Sequence, residues 1–455
     1  MEKMDKNEVQ YKKMTEDPVG RLILSLAVPT IISMIVTAVY NTADTYFVSR
    51  LGTSASGAVG IVMSLMALIQ SIGFMTGMGA GSWMSRLLGQ KKDQTASQVA
   101  ASAFYFAFAL GLLVAVFGRI FLDPLVGLLG ATETIRPYAR EYAQYILYAA
   151  PFLIASFTMN KMLCSEGKAR FAMFGIAFGG ILNIFLDPLF IFGLNLGIAG
   201  AAIATGISQL VSFGILLYMF VSGRTIAKLG IRNAARNARM YVEIVQSGLP
   251  SFFRQGLASV ASIALNKMAA GYGDAAVSAM AIVTKVFMLI FSVLIGFGQG
   301  YQPVAGYNYG AKKYGRVKEA FSFMVCSAAV FMTVFAVLGY MAAPQLIRFF
   351  ISSDPDVVKI GTASLRFQCL SMPFLPLNIC CNMTFQTIGR TGLATFLSIG
   401  RQGYAFLPLI VILPRFIGLT GVEVAQPLAD VISFAICVPY TIKFIRELNQ
   451  KAETA

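Results

Sequence analysis

Apolar residues fall in long blocks separated by short polar stretches, with runs near 22–47, 55–85, 95–118, 140–163, 171–192, 198–221, 245–270, 276–304, 319–343, 362–386, 394–414 and 421–443. A run of about 20 apolar residues suffices to cross a bilayer as a helix. The pattern therefore predicts twelve spanning helices. The first run follows a polar segment of mixed charge and is far longer than a signal-peptide core, so it is expected to remain as a span.

The pattern also repeats. Shifting the chain by 221 residues pairs Pro29 with Pro250, Gly52 with Gly273, Gly77 with Gly298, Gly79 with Gly300, Gly89 with Gly310, and Lys91-Lys92 with Lys312-Lys313. Without a gap, 16 of the 64 positions from 29 to 92 coincide. Further on, Pro151-Phe152 matches Pro373-Phe374 and Gly167 matches Gly389, both at a shift of 222. The chain reads as a duplicated six-helix unit. An even number of spans keeps both copies in one orientation, related by an axis along the membrane normal. The expected organisation is an N-terminal segment (1–21), a first lobe (22–221), a basic linker (222–243), a second lobe (244–443) and a tail (444–455), with the functional site between or inside the lobes.

Composition agrees with this all-α integral membrane class. Of 455 residues, 57% are hydrophobic and 13% charged, against about 25% charged in soluble domains. Basic residues decide orientation. If the N-terminus is cytoplasmic, 24 of the 36 Lys and Arg, from Lys3 to Lys451 and including Lys161 and Arg236, fall on inner segments, and 8 fall outside. Both termini are then cytoplasmic, and the net charge of +15 requires no nucleic acid. The linker reads as a segment lying on anionic lipid, with a regulatory helix as the alternative. Six scattered Cys read as core filler, and the absence of His leaves proton chemistry to carboxylates.

Enzymatic motifs are missing. Gly167-Lys168 is followed by Ala169 and lacks the upstream glycine of a phosphate loop, and no GxSxG or HExxH occurs. The glycines at 77, 79 and 81, echoed at 296, 298 and 300, lie inside spans and suit close helix contact. No cofactor is expected beyond a coupling ion.

Charges within the spans are the candidate chemistry. Asp44 follows Ser33, Thr37, Tyr40 and Asn41 at helical spacing, giving the first span one polar face. The alternative for Asp44 is a structural cap at the outer surface, beside Arg50. In the fifth span Asn183 and Asp187 share a face, and Pro188 frees the Ile184 carbonyl beside the carboxylate, a place suited to a proton or Na⁺ or, alternatively, to packing. The repeat acts as a control, because Asp44 maps to Leu265 and Asp187 maps near Pro408. Cation coupling therefore belongs to the first lobe. An Arg401–Asp430 pair is expected to be structural.

These features, with Arg86-Leu-Leu-Gly89, Ala199-Gly200-Ala201-Ala202 before Thr205, Gln386-x-x-Gly389-Arg390 and Arg401-Gln402-Gly403, resemble the multidrug and toxic compound extrusion (MATE) family. The likeness is closest to its bacterial DinF-like and MepA-like branch and runs nearly end to end. The resemblance implies a V-shaped pair of six-helix lobes in the bacterial cytoplasmic membrane, exporting drugs or toxic metabolites in exchange for H⁺ or Na⁺. It implies a cation site at Asp44, Asn183, Asp187 and Thr205, with Asn160 nearby. Thr37, Tyr40 and Asn41 are expected to contact cargo, and Pro29 and Pro188 to act as hinges, in a monomer whose other partners are membrane lipids. The rival is a lipid-linked oligosaccharide flippase, kept open by Arg254, Lys285 and Arg401.

Overall fold

The computed structural model describes residues 6–235, 237–351 and 354–454; Lys3 and Arg236 lie outside them. The described residues are overwhelmingly helical. In the first lobe, α1 (Lys6–Glu16) precedes α2 (Val19–Ser49), α3 (Thr53–Gly89), α4 (Asp93–Ile120), the short α5 (Leu122–Leu128), α6 (Arg136–Ser165), α7 (Ala169–Pro188) and α8 (Gly197–Val221). The second lobe holds α9 (Ala238–Ala270), α10 (Asp274–Gly310), α11 (Tyr314–Phe350), α12 (Pro355–Ser371), α13 (Leu375–Thr387), α14 (Thr391–Ile399), α15 (Leu407–Ile417) and α16 (Leu419–Glu453).

Among the described residues, ten helices are long and apolar enough to cross a membrane. The two predicted spans outside that set have plain reasons. Helix α9 carries Arg254 and Lys267, and the tenth run is broken into α12 and α13 by a 3₁₀ turn at Met372–Phe374, where Pro373 and Pro376 crowd the backbone. Several helices overrun their apolar blocks: α10 reaches Gly310 and α16 reaches Glu453. Apolar length sets the bilayer crossing, whereas the helix continues until a turn stops it.

Those turns show the duplication in the backbone. Positive φ recurs at Gly52 and Gly273, Gly167 and Gly389, and Gly197 and Gly418. Lysine disfavours this region, yet Lys91 (φ 57°) and Lys312 (φ 60°) both occupy it, one at the end of α3 and the other at the end of α10. Side chains repeat as well. Asn160 Nδ2 donates to the Ala172 carbonyl at 2.9 Å, and Asn382 Nδ2 donates to the Ala394 carbonyl at 2.8 Å.

The span glycines let the lobes touch. A Cβ on Gly79 would lie 2.1 Å from the Ile244 carbonyl oxygen, and one on Gly300 would lie 2.5 Å from Ala27 Cα. The pair repeats reciprocally at the terminus-bearing end, where Gly89 faces the Tyr307 carbonyl and Gly310 faces the Arg86 carbonyl. At this end one apolar core draws on both lobes, with Leu26, Met84, Ile244 and Tyr301 among its members. At the far end the core divides into one cluster around Val59 and Ile146 in the first lobe and another around Met280 and Phe406 in the second. The lobes therefore diverge away from the termini, as a V. Outward-turned Phe117, Phe174, Val330 and Met341 remain exposed, as a lipid-facing surface requires.

Two expectations change. The linker is strapped to the first lobe, and the end of its predicted length belongs to helix α9. Glu166 accepts from the Ile226 and Ala227 amides at 3.0 and 2.9 Å, and Tyr105 donates to the Leu229 carbonyl at 3.0 Å. Short polar side chains at Ser97 and Ser102 accept two more linker amides. Helix α9 then begins at Ala238, before the predicted boundary of the second lobe. Lys161, counted with the inner loops, is buried within α6.

Candidate functional site

Helices α2, α6, α7 and α8 bring the first lobe's polar side chains together. Ser33, Tyr40 and Asp44 are buried on one face of α2, as their spacing requires, while Thr37 and Asn41 on the same side are part-exposed. Tyr142 on α6 donates from Oη to Asp44 Oδ2 at 3.2 Å. On α7, Asn183 Nδ2 donates to Asp187 Oδ1 at 3.0 Å and lies 3.3 Å from Thr205 Oγ1 on α8. Tyr142 adjoins Asp187 and Thr205 as well as Asp44, so it joins the two carboxylates into one cluster. Directly after Asp187-Pro188 the helix widens to a π turn at Leu189–Gly193, a local irregularity of the kind that accumulates at functional sites.

The cluster is under-satisfied. Asp44 Oδ1, Asp187 Oδ2, Asn183 Oδ1 and Gln209 Oε1 are all buried without a hydrogen-bond partner. Leaving a buried acceptor unpaired costs about 1–3 kcal/mol, and more when it is charged. Two of these four oxygens are carboxylate. Gly180 permits the approach of α2 and α7, since a Cβ there would lie 2.9 Å from the Tyr40 ring.

The structure separates this arrangement from its alternatives. Arg50 bonds and stacks on Tyr46 at the exposed end of α2, so it does not cap Asp44. Asn160 stands apart from the carboxylates. Its partner Ala172 lies eleven residues before Asn183 on α7, or about 16 Å at 1.5 Å per residue. Its amide clamps α6 to α7. Thr37 spends its hydroxyl proton on the Ser33 carbonyl at 2.8 Å. Pro29 sits inside an unbroken α2, and the neighbouring Thr30 hydroxyl donates to the Gly296 carbonyl of the other lobe at 2.6 Å. Pro188 marks the junction of α7 with the π turn.

Tyr142 and Gln209 escaped the sequence reading. Tyr142 sits among Tyr138, Tyr145 and Tyr148 with nothing to single it out. Gln209 had a signal, one helical turn beyond Thr205.

Comparison with known proteins identifies the family. The profile of the MatE family matches residues 29–189 and 250–411, one segment in each lobe. The chain belongs to the MatE family. This MatE transporter is 27% identical over 408 residues to the multidrug export protein MepA of Staphylococcus aureus, covering 90% of each chain. It superposes on a MATE transporter solved in complex with MaL6 with a TM-score of 0.91, at 25% identity over 97% of this chain and 99% of that one. A multidrug resistance MATE family transporter solved in an outward-facing conformation gives the same TM-score and identity, over 99% and 100% of the two chains.

Proposed function

We propose that this MatE transporter exports amphipathic, often cationic drugs by antiport against H⁺ or Na⁺, with Asp44, Asn183, Asp187 and Thr205 as the coupling site. The observation that carries this reading is the set of four unpartnered buried oxygens around two carboxylates. Holding two anions together out of water is costly, so the cluster takes up a proton or Na⁺. Uptake removes the negative charge that a cationic drug also seeks, and competition for one pair of carboxylates couples the two fluxes without direct contact. Thr37, Tyr40 and Asn41, on the same face of α2, present cargo contacts beside that charge. Bending at Pro29, next to the contact with Gly296, would carry the change in Asp44's partners to the other lobe.

The terminus-bearing end faces the cytoplasm in this reading, in keeping with its lysines and arginines, and the cleft opens outward in the bacterial membrane. Exchanging one H⁺ for one monovalent cation moves no net charge, so the membrane potential, worth about 2.3 kcal/mol per charge per 100 mV, contributes nothing. Such a cycle runs on the pH or Na⁺ gradient.

Dye efflux from everted vesicles under an imposed pH or Na⁺ gradient tests the proposal. Asp44→Asn and Asp187→Asn should each abolish gradient-driven transport at unchanged membrane abundance. Normal transport by both variants defeats it.

A further inference from the structure

The coupling reading leaves α1 without a role. Its sequence is mostly polar, and an isolated helix of 11 residues is marginal in water, so contacts with the rest of the chain must hold it. They come from both lobes. On the first lobe, Asn7 Nδ2 donates to Asp93 Oδ2 at 2.8 Å, Gln10 Nε2 donates to the Glu166 carbonyl at 2.9 Å, and Lys91 Nζ stands 4.6 Å from the Tyr11 ring centroid. Gly167, at φ 77°, lets α1 approach, since a Cβ there would lie 2.6 Å from Gln10 Nε2 and 2.8 Å from Met14 Sδ.

The second lobe holds the other end of α1. The last four carbonyls of a helix lack internal partners and form the negative end of its dipole, and Pro18 has no N–H to offer them. Instead Asn308 Nδ2 on α10 donates to the Met14 carbonyl at 3.0 Å, and Lys313 Nζ donates to the Thr15 carbonyl at 3.2 Å. Arg316 donates from Nη2 to the Asp17 carbonyl at 2.5 Å and from Nε to Asn308 Oδ1 at 3.0 Å. The Met14 side chain is fully buried in the apolar core that the lobes share, so α1 packs it against protein and not against lipid.

Lys91 and Asn308 each stand two residues from the close contacts at Gly89 and Gly310. Helix α1 thus bridges the lobes where they meet, through bonds that cannot all persist if they part. We propose that α1 is a clasp, locking the terminus-bearing end while the far end is open and releasing Asn308, Lys313 and Arg316 when the terminus-bearing end opens. The second lobe is the side released for two reasons. Helix α1 continues through Asp17-Pro18 into α2 of the first lobe, and its bonds to the second lobe come from backbone carbonyls, which water can serve once exposed. An exporter must open this end to take in cargo, so the inference rests on the exporter reading but not on which residues hold the coupling ion.

Nitroxide labels on the two lobes test it, at Arg170→Cys on α7 and Gln450→Cys on α16, both exposed positions. The full chain carries Cys326→Ser, because Cys326 is an exposed native thiol. Electron–electron double resonance on the purified protein, without cargo or gradient, reads the distance between the labels. Cutting the second-lobe side with Lys313→Gln and Arg316→Gln should raise the fraction of long distances about threefold or more, the effect of one net hydrogen bond. Cutting the first-lobe side with Asn7→Ala and Gln10→Ala should do the same. All four changes together should exceed either pair by less than about twofold, because a clasp opened on one side is already open, whereas independent contacts multiply. Lys313→Arg, which keeps the cation, should leave the distribution unaltered. A single gel-filtration peak shows that each variant is folded, and Lys313→Gln or Gln10→Ala alone replaces any pair that fails this check. An unchanged distribution after cutting either side, or effects that multiply, overturns the proposal. Failure of the coupling reading is told apart, because Asp44→Asn and Asp187→Asn are read by gradient-driven efflux and not by these distances.

Discussion

Tyr142 Oη donates to Asp44 Oδ2 at 3.2 Å while Asp44 Oδ1 is left with no partner at all. One carboxylate oxygen is thus held by the protein and the other is not. A hydrogen bond to a charged group is worth about 1.5–3 kcal/mol. Tyr142→Phe should therefore leave abundance unchanged and cut efflux at least tenfold, because Asp44 loses the contact that fixes its direction. Efflux in everted vesicles, beside immunodetected protein, checks it; transport at the unaltered rate refutes the positioning role.

Asn160 and Asn382 are predicted to be structural, since each makes the same bond in its own lobe, to Ala172 and Ala394. Their replacement by Ala should lower the thermal midpoint by similar amounts, since each loses one hydrogen bond between helices, worth about 0.5–1.5 kcal/mol net. The ion dependence of efflux should not move in Asn160→Ala. A change in H⁺ or Na⁺ dependence would return Asn160 to the coupling site.

This comparison also shows what was legible in the sequence. Spans, duplication and the Asp44, Asn183 and Asp187 faces follow from spacing alone, because apolar length and helical periodicity act locally. Asn160 looked like part of the same cluster because a sequence shows which helix a residue occupies but not its depth relative to another helix. Lys161 was misplaced for a related reason. It lies near the end of the apolar run 140–163, so the charge count assigned it to the inner segment, but in the fold its side chain is buried within α6. The strapped linker was hidden too, since its partners are backbone amides that pair with Glu166, Ser97 and Ser102 far away in the chain.

Gly89 and Gly310 close the terminus-bearing end reciprocally, each against a backbone carbonyl about 2 Å from where a Cβ would stand. Backbone cannot move aside as a flexible side chain can, and overpacking of this kind costs about 1–3 kcal/mol. Gly89→Ala and Gly310→Ala should each shift the lobes apart at this end. Spin labels at the exposed positions Gln94 and Glu319 should report a longer distance in both variants; an unchanged distance distribution in both would show that the contact is not what holds the end closed.

Glu166 gives a pH dependence outside the spans. Burial pushes its carboxyl above the ordinary value of 4.5, against the opposing pull of Lys168 and the Ile226 and Ala227 amides. A raised acid binds more protons folded than unfolded, so its contribution to stability falls as pH rises from about 4.5 through the raised value. The unaltered protein should lose part of its thermal midpoint across that window, and Glu166→Gln should flatten the profile. A rising midpoint attributable to Glu166 contradicts the sign.

Asp430 occupies the position that matches Gln209 at the 221-residue shift, so the second lobe has an acid where the first has an amide with an unpaired oxygen. That acid is fully occupied. Oδ1 accepts from Arg401 Nε at 2.6 Å and Gln426 Nε2 at 3.0 Å, while Oδ2 accepts from Gln368 Nε2 at 3.1 Å and Ser371 Oγ at 3.2 Å. The Arg401 guanidinium also stacks over Phe291 at 4.8 Å. The second lobe's acid is thus neutralised by a covalently held cation, whereas first-lobe oxygens of Asp44, Asp187 and Gln209 have no hydrogen-bond partner. Removing one member of a buried pair costs about 3–5 kcal/mol, whereas replacing both by neutral groups is often nearly free. Arg401→Met should therefore be strongly destabilised, and Arg401→Met with Asp430→Asn should recover most of the loss. If the coupling site proposed above is right, the double variant should keep the H⁺ or Na⁺ dependence of efflux. Loss of that dependence in a stable double variant would assign coupling to both lobes.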